Sequence, residues 1–218
     1  MRFHYDTSYL DAGRLLRYPG DKISYGVLLL VMIALPWVLP RFYVGEIAYL
    51  CILAIASLGL MVLTGFTGLV SLGHAAFVAI GAYGHAWFMT RGVPFAASIV
   101  MASALAGLVG FAIGLPVIRV SGLYLAMVTL AFSIVIEHVV GRWSSVTGGH
   151  TGLPVPSPTI LGYDLGGLVP FYYLCLGILV AVVLGLHNLL SDRTGRAFIG
   201  VRDSEAAAAG LGIWTAGY

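Results

Sequence analysis

Six long apolar runs, one after another, constrain this chain more than any other feature. They occupy roughly residues 24–40, 44–63, 69–90, 94–118, 121–141 and 168–190, with short polar breaks between most of them. A helix that crosses a bilayer needs roughly 20 apolar residues, with a range of about 17–25, and every run falls within it. In water the chain would have no way to cover this surface. It is 60% hydrophobic and only 9% charged, against about 25% charged in an ordinary soluble domain. The fold class predicted is all-α, a polytopic transmembrane helical bundle of about six spans. The first run is short and contains Pro36, so it is kinked or only partly crossing. The third begins at a glycine-rich break, Thr64-Gly65-Phe66-Thr67-Gly68, where a re-entrant or unwound start is expected.

The polar segments organise the rest. Residues 1–23 form a mixed-charge amino-terminal arm, and the apolar run after it ends in Pro-Arg at 40–41 rather than in a small-residue cleavage site, so it reads as a retained span. Residues 24–190 then read as one transmembrane domain. Its one sizeable loop, 142–167, is rich in Gly, Pro, Ser and Thr and predicts turns and extended chain, not a helix. From residue 191 the chain is polar again, with a short Ala-rich helix expected around 204–212. Six crossings put both termini on one side. That side carries Arg2, Arg14, Arg17, Lys22, Arg119, Arg193, Arg196 and Arg202, and the other only Arg41, Arg91 and Arg142. The excess of basic residues places both ends in the cytoplasm.

Several functions are disfavoured by what the sequence lacks. No GKS/GKT loop, HExxH, paired CxxC or GxSxG elbow occurs, and the six histidines are scattered, so no cofactor, metal centre or catalytic residue is predicted. The basic residues sit in loops and the arm rather than on one face, so nucleic acid is not an expected partner. Cys51 and Cys175 both lie inside apolar runs and read as small buried side chains. Glu46, Glu137 and His138 lie near the outer ends of their runs, where charge is tolerated at the interface; a proton relay is the sharper alternative.

Two stripes of residues stand out within the runs. Ala102, Ala106, Gly110 and Gly114 recur every four residues in the fourth run, a smooth face suited to close helix packing, with chance in an Ala/Gly-rich chain as the alternative. Ser71, His74, Val78, Gly81 and His85 step by three and four in the third run. His74 and His85 stand close to three helical turns apart. One reading has this face lining a solute path. The other has each histidine hydrogen-bonding a neighbouring carbonyl to hold helices together.

Three stretches carry a resemblance. Thr64-Gly65-Phe66-Thr67-Gly68-Leu69-Val70-Ser71-Leu72-Gly73-His74-Ala75-Ala76-Phe77 with Ile80-Gly81-Ala82-Tyr83, then Ser121-Gly122-Leu123-Tyr124-Leu125-Ala126-Met127-Val128-Thr129-Leu130-Ala131-Phe132, then Thr147-Gly148-Gly149-x-x-Gly152-Leu153, together resemble the LivM-type permeases of branched-chain amino acid ABC importers. Residues 195–212 are similar to the cytoplasmic coupling loop of such permeases, with Ala206-Ala207-Ala208 and Gly212 in the best register and Glu205 one place early. The resemblance implies coupling to ATPases through Arg202, Asp203, Glu205, Ala207, Ala208 and Gly212. It implies as partners two ABC ATPase subunits, a sister permease subunit and a periplasmic solute-binding protein, with membrane lipid around an inner-membrane protein. Branched-chain amino acids are the first expected solutes; urea or short amides, served by sibling permeases, stand close. It also implies further spans after Tyr218. A secondary transporter or channel without ATPases, and a truncated permease that does not itself transport, remain alternatives.

Overall fold

The computed structural model describes residues 19–117, 120, 122–160, 162–210 and 212. Arg2, Arg14 and Arg17 of the arm, Arg119, Ser121 and residues 213–218 lie outside the described residues, as do the side chains of Lys22, Glu205 and Ala206. In chain order the helices are α1 (Pro19–Val38), α2 (Arg41–Met61), α3 (His74–Thr90), α4 (Phe95–Val117), α5 (Leu123–Arg142), a single turn α6 (Ser144–Thr147), α7 (Leu168–Ser191), α8 (Arg193–Asp203) and α9 (Glu205–Gly210). A π-helical turn, Val62–Phe66, extends α2, and a minimal antiparallel hairpin pairs β1 (Thr159–Ile160) with β2 (Tyr163–Asp164). Four helical stretches are long and apolar enough to cross a membrane: Arg41–Phe66, Phe95–Val117, Leu123–Arg142 and Leu168–Ser191. The apolar part of α1, Ile23–Val38, is shorter, and α3 has 17 residues. The chain is a multi-pass helical membrane protein, with four of the six expected spans meeting that length and apolarity together.

The chain divides into two compact units, one taking residues up to Leu58 and from Leu168 onward, the other Gly59–Gly167. In the first unit, α2 and α7 meet along one stripe each. Val44, Ala48 and Cys51 are spaced four and three apart, and Tyr172, Cys175 and Leu176 face them in a single buried cluster. Both cysteines are free and buried there. The other side chains of these helices are exposed or half-buried.

Pro36 lies inside α1, near its end. It has no N–H, so the Met32 carbonyl four residues before it loses its helical partner. The hydroxyl of Tyr172, a residue with no exposed surface, donates to that carbonyl. The neighbouring Tyr173 hydroxyl donates to the Ile33 carbonyl at 2.9 Å and accepts from Trp37 Nε1 at 3.2 Å. Two adjacent tyrosines of α7 thus attend to the α1 carbonyls at and beside the proline break, which is what lets a proline persist within an apolar helix.

In the second unit, α3 and α4 form an antiparallel pair. A Cβ at Gly84 would stand 3.7 Å from the Ala102 Cβ, and one at Gly110 would stand 3.5 Å from the Phe77 ring. Ala102 and Gly110 of the small-residue stripe therefore face α3. Ala106 is half-buried, and around Gly114 there is nothing within 4 Å of a would-be Cβ. The 142–167 loop holds turns and a short extended hairpin, but departs from expectation in one helical turn, α6. The buried Thr147 explains it: its hydroxyl oxygen lies 2.8 Å from the Trp143 carbonyl and 2.6 Å from that of Val140, and it accepts the Gly149 N–H at 3.2 Å. Gly148, Gly149 and Gly152 follow with φ of 72°, 59° and 72°, a region costly for any residue with a Cβ. A Cβ at Gly148 would also come within 2.2 Å of the Gly152 carbonyl oxygen.

Replacing Tyr172 by Phe is expected to cost about 1 kcal/mol by stranding the Met32 carbonyl in an apolar setting. In a Pro36→Ala background the carbonyl regains an N–H partner, so the same replacement should become nearly neutral. A double-mutant cycle of denaturant unfolding in mixed micelles checks this; equal costs in both backgrounds would contradict the assignment.

Candidate functional site

The third apolar run becomes helical only at His74. After the π-helical turn the chain runs through residues 67–73 without regular structure, turning at Gly68 with φ 71°. Such a segment leaves several backbone groups in need of partners. Hydroxyls supply some of them locally. Thr64 Oγ1 donates to the Leu60 carbonyl at 2.8 Å, Thr67 Oγ1 to that of Leu63 at 2.5 Å, and Gly73 N–H donates to Ser71 Oγ at 3.3 Å. One partner comes from far along the chain. Leu72 N–H donates to Thr129 Oγ1 of α5 at 3.0 Å, while that hydroxyl donates on to the Ala126 carbonyl at 3.0 Å. Gly73 packs directly against the same turn: a Cβ there would stand 2.8 Å from the Thr129 carbonyl oxygen. One turn along α3, the rings of Phe77 and Phe132 sit 5.3 Å apart. The unwound segment is therefore seated on α5 at Thr129, about 9 Å along that helix from its first residue. α3 is about 26 Å long, short of the ~30 Å hydrocarbon core.

The five residues of the histidine face are placed as follows. Ser71 belongs to the unwound segment, half-buried. His74 opens α3, and its ring lies against Gly59 of α2, where a Cβ would stand 3.3 Å from its Cε1. Val78 is exposed, and Gly81 is half-buried with nothing within 4 Å of a would-be Cβ. His85 is drawn onto α4 instead. Its Nδ1 lies 2.8 Å from Ser98 Oγ, and its ring meets Phe95 edge-on at 5.2 Å. Ser98 is completely buried, and its hydroxyl donates to the Phe95 carbonyl at 2.7 Å. With that one proton committed, Nδ1–H of His85 is the donor to Ser98. Ser71 and His74 thus stay together at the break, while His85 belongs to the α3–α4 contact.

The polar end of the chain is built by a tight elbow. A Cβ at Gly195 would stand 2.0 Å from the Leu190 carbonyl oxygen, so only glycine lets α8 fold this closely onto the end of α7. Along α8, Gly195 and Ala197 are buried while Arg193, Arg196, Ile199, Arg202 and Asp203 are exposed. Arg202 and Asp203 pair with each other at 3.3 Å. Ser204 breaks the helix in extended conformation and caps α9, its Oγ accepting the Ala207 N–H at 3.2 Å. Ala208 is buried, Ala207 is exposed, and Gly212 follows with φ 82°. Thr129, Ser98 and Gly195 were not singled out from the sequence; each is a single small residue whose partner lies in another segment.

Two of the three sequence strings thus meet at Leu72, Gly73 and Thr129, and the third forms the Thr147 turn. The model of the family described as branched-chain amino acid transport system / permease component matches residues 42–218. The chain belongs to this permease family. It is 33% identical to the high-affinity branched-chain amino acid transport system permease protein LivM of Escherichia coli (strain K12), over 88% of this chain and 51% of that protein. Identity to the protein of the same name from Salmonella typhimurium is 32%, with the same coverage. The chain thus spans about half the length of these relatives. No solved structure matches it. The unwound segment, its seat at Thr129, the Thr147 turn and the elbow at Gly195 all lie within the matched residues.

Gly73→Ala is expected to unseat the unwound segment from Thr129 and to cost several kcal/mol, because the new methyl meets backbone. Gly81→Ala, which meets nothing within 4 Å, should leave folding unchanged. Limited proteolysis within 67–73 distinguishes them: faster cutting is expected in the first variant only.

Proposed function

We propose that the chain is permease substance of an ATP-driven importer, moving branched-chain amino acids or a closely related small solute across the inner membrane. The observation that carries this reading is the family match over residues 42–218, ending on a short polar helix pair beside the last long span. Both relatives are named as branched-chain amino acid permeases. We place both ends in the cytoplasm, supported by the eight-to-three division of basic residues. Trp37 closes α1, Trp87 lies in the last turn of α3 and Trp143 follows α5, three ends that this topology directs to one interface, a layer suited to indoles. Arg91 stacks on Trp87 at 3.9 Å there.

In this reading α8 and α9 form the coupling element. Its exposed residues, Arg202, Asp203 and Ala207, face an ATPase subunit, Glu205 begins α9, and Gly212 ends the element. Buried Ala208 serves instead to pack the pair. A short helix docked in a partner's groove transmits ATP-driven closure to α7 through the Gly195 elbow. Two ATPase subunits, a sister permease and an external binding protein complete the importer. Solute passes the unwound segment at Ser71 and His74 and then Gly81, where a discontinuous helix offers backbone groups that a continuous one keeps to itself. His85 ties α3 to α4.

Ala207→Arg places a bulky charge on an exposed site, so it should leave folding intact and abolish co-purification of the ATPase together with leucine uptake. An importer that retains its ATPase and full uptake with this substitution would defeat the coupling assignment. His74→Ala should lower uptake at least tenfold with normal assembly. His85→Ala should chiefly lower thermal stability, by about 1–2 kcal/mol. Uptake assays paired with detergent-solubilised melting curves separate the two effects.

A further inference from the structure

The outer end of α5 carries a feature outside the proposed solute path and coupling element. Ile134, Val135, His138, Val139, Arg142 and Trp143 line one open groove of about 620 Å³. All six are exposed. They recur along one face of the last two turns of α5, and their polarity runs in one direction, from aliphatic side chains to a cation and an indole. His138 Nδ1–H is already given to the Ile134 carbonyl at 2.9 Å, so the imidazole stays folded along the helix. Arg142 has no acidic partner among the described residues, and Glu137 on the adjoining face is not paired with it.

We propose that this groove binds one anionic phospholipid, with the phosphate at Arg142, the glycerol region beside Trp143 and an acyl chain along Ile134, Val135 and Val139. The order of the groove matches the order of a phospholipid. Arg142 ends a 20-residue span, about 30 Å long, and so stands at headgroup depth. Trp143 is suited to the same layer. A guanidinium binds a phosphodiester through paired N–H donors, which a zwitterionic headgroup offsets with its own cation. A protein partner covering the same face would have to supply an acid to Arg142 and bury an open apolar wall.

Brominated lipids test this, because they quench only the indoles they touch. The full chain is placed in phosphatidylcholine vesicles containing either brominated phosphatidylglycerol or brominated phosphatidylcholine at equal fraction. The Trp143 signal is taken as the difference between the protein and its Trp143→Phe variant. Trp143 is expected to report about fivefold preferential occupancy by phosphatidylglycerol, the effect of one cation near a charged headgroup. Arg142→Gln should remove that preference while quenching by phosphatidylcholine persists, which also shows that the variant is folded and inserted; Arg142→Lys should keep part of it. Equal quenching by the two lipids, a preference that survives Arg142→Gln, or no quenching of Trp143 by either lipid would overturn the proposal.

Discussion

A backbone N–H or C=O in hydrocarbon has no water to turn to, and the structure is organised around the places where helices stop meeting that demand. Three breaks among the described residues show how it is met, two within apolar runs and one in the loop beyond α5. Pro36 frees a carbonyl in α1. Residues 67–73 leave the helical ladder altogether. The turn after α5 must reverse the chain over glycines. Each is answered by a hydroxyl: Tyr172 with Tyr173 in the first case, Thr129 in the second, Thr147 in the third. Hydroxyls suit this work because they are small, mostly apolar on their stems and able to donate and accept at once. Thr129 does both, accepting from Leu72 while donating to Ala126.

Glycine plays the complementary part. At Gly73 and Gly195 the chain passes so near another carbonyl that a methyl group has no room, and at Gly148 it also turns through positive φ. These positions fall within the sequence strings that resemble the permease family. The strings therefore mark close backbone approaches, at the seat of the unwound segment, in the turn after α5 and at the elbow after α7. In the proposed importer a solute path and a coupling element would draw on these same irregularities, since a regular helix has neither free polar groups nor a hinge.

Composition and run length made the membrane class legible, because about 20 apolar residues have few other uses. The break before His74 was legible too, since Gly65 and Gly68 interrupt an otherwise continuous pattern. The single-turn helix α6 was not, because its stabilising contact is the Thr147 side chain reaching back toward Val140 and Trp143, while the local Gly and Ser content argues for a loop. Of the histidine face, the shared helical spacing was legible, but spacing does not reveal which neighbour each ring meets. Ser98 claims His85, and Gly59 receives His74.

Sequence alone determined that the chain belongs in lipid and where its long apolar helices run, because those follow from apolar length, a local property. Tertiary structure decided which residues do the specific work. Tyr172 on α7 satisfies a carbonyl on α1, and Thr129 on α5 seats a segment 57 residues earlier. Such pairings depend on which helices become neighbours, and in an apolar bundle nearly every helix face looks alike until packing brings one lone hydroxyl to the single carbonyl or N–H that lacks a partner.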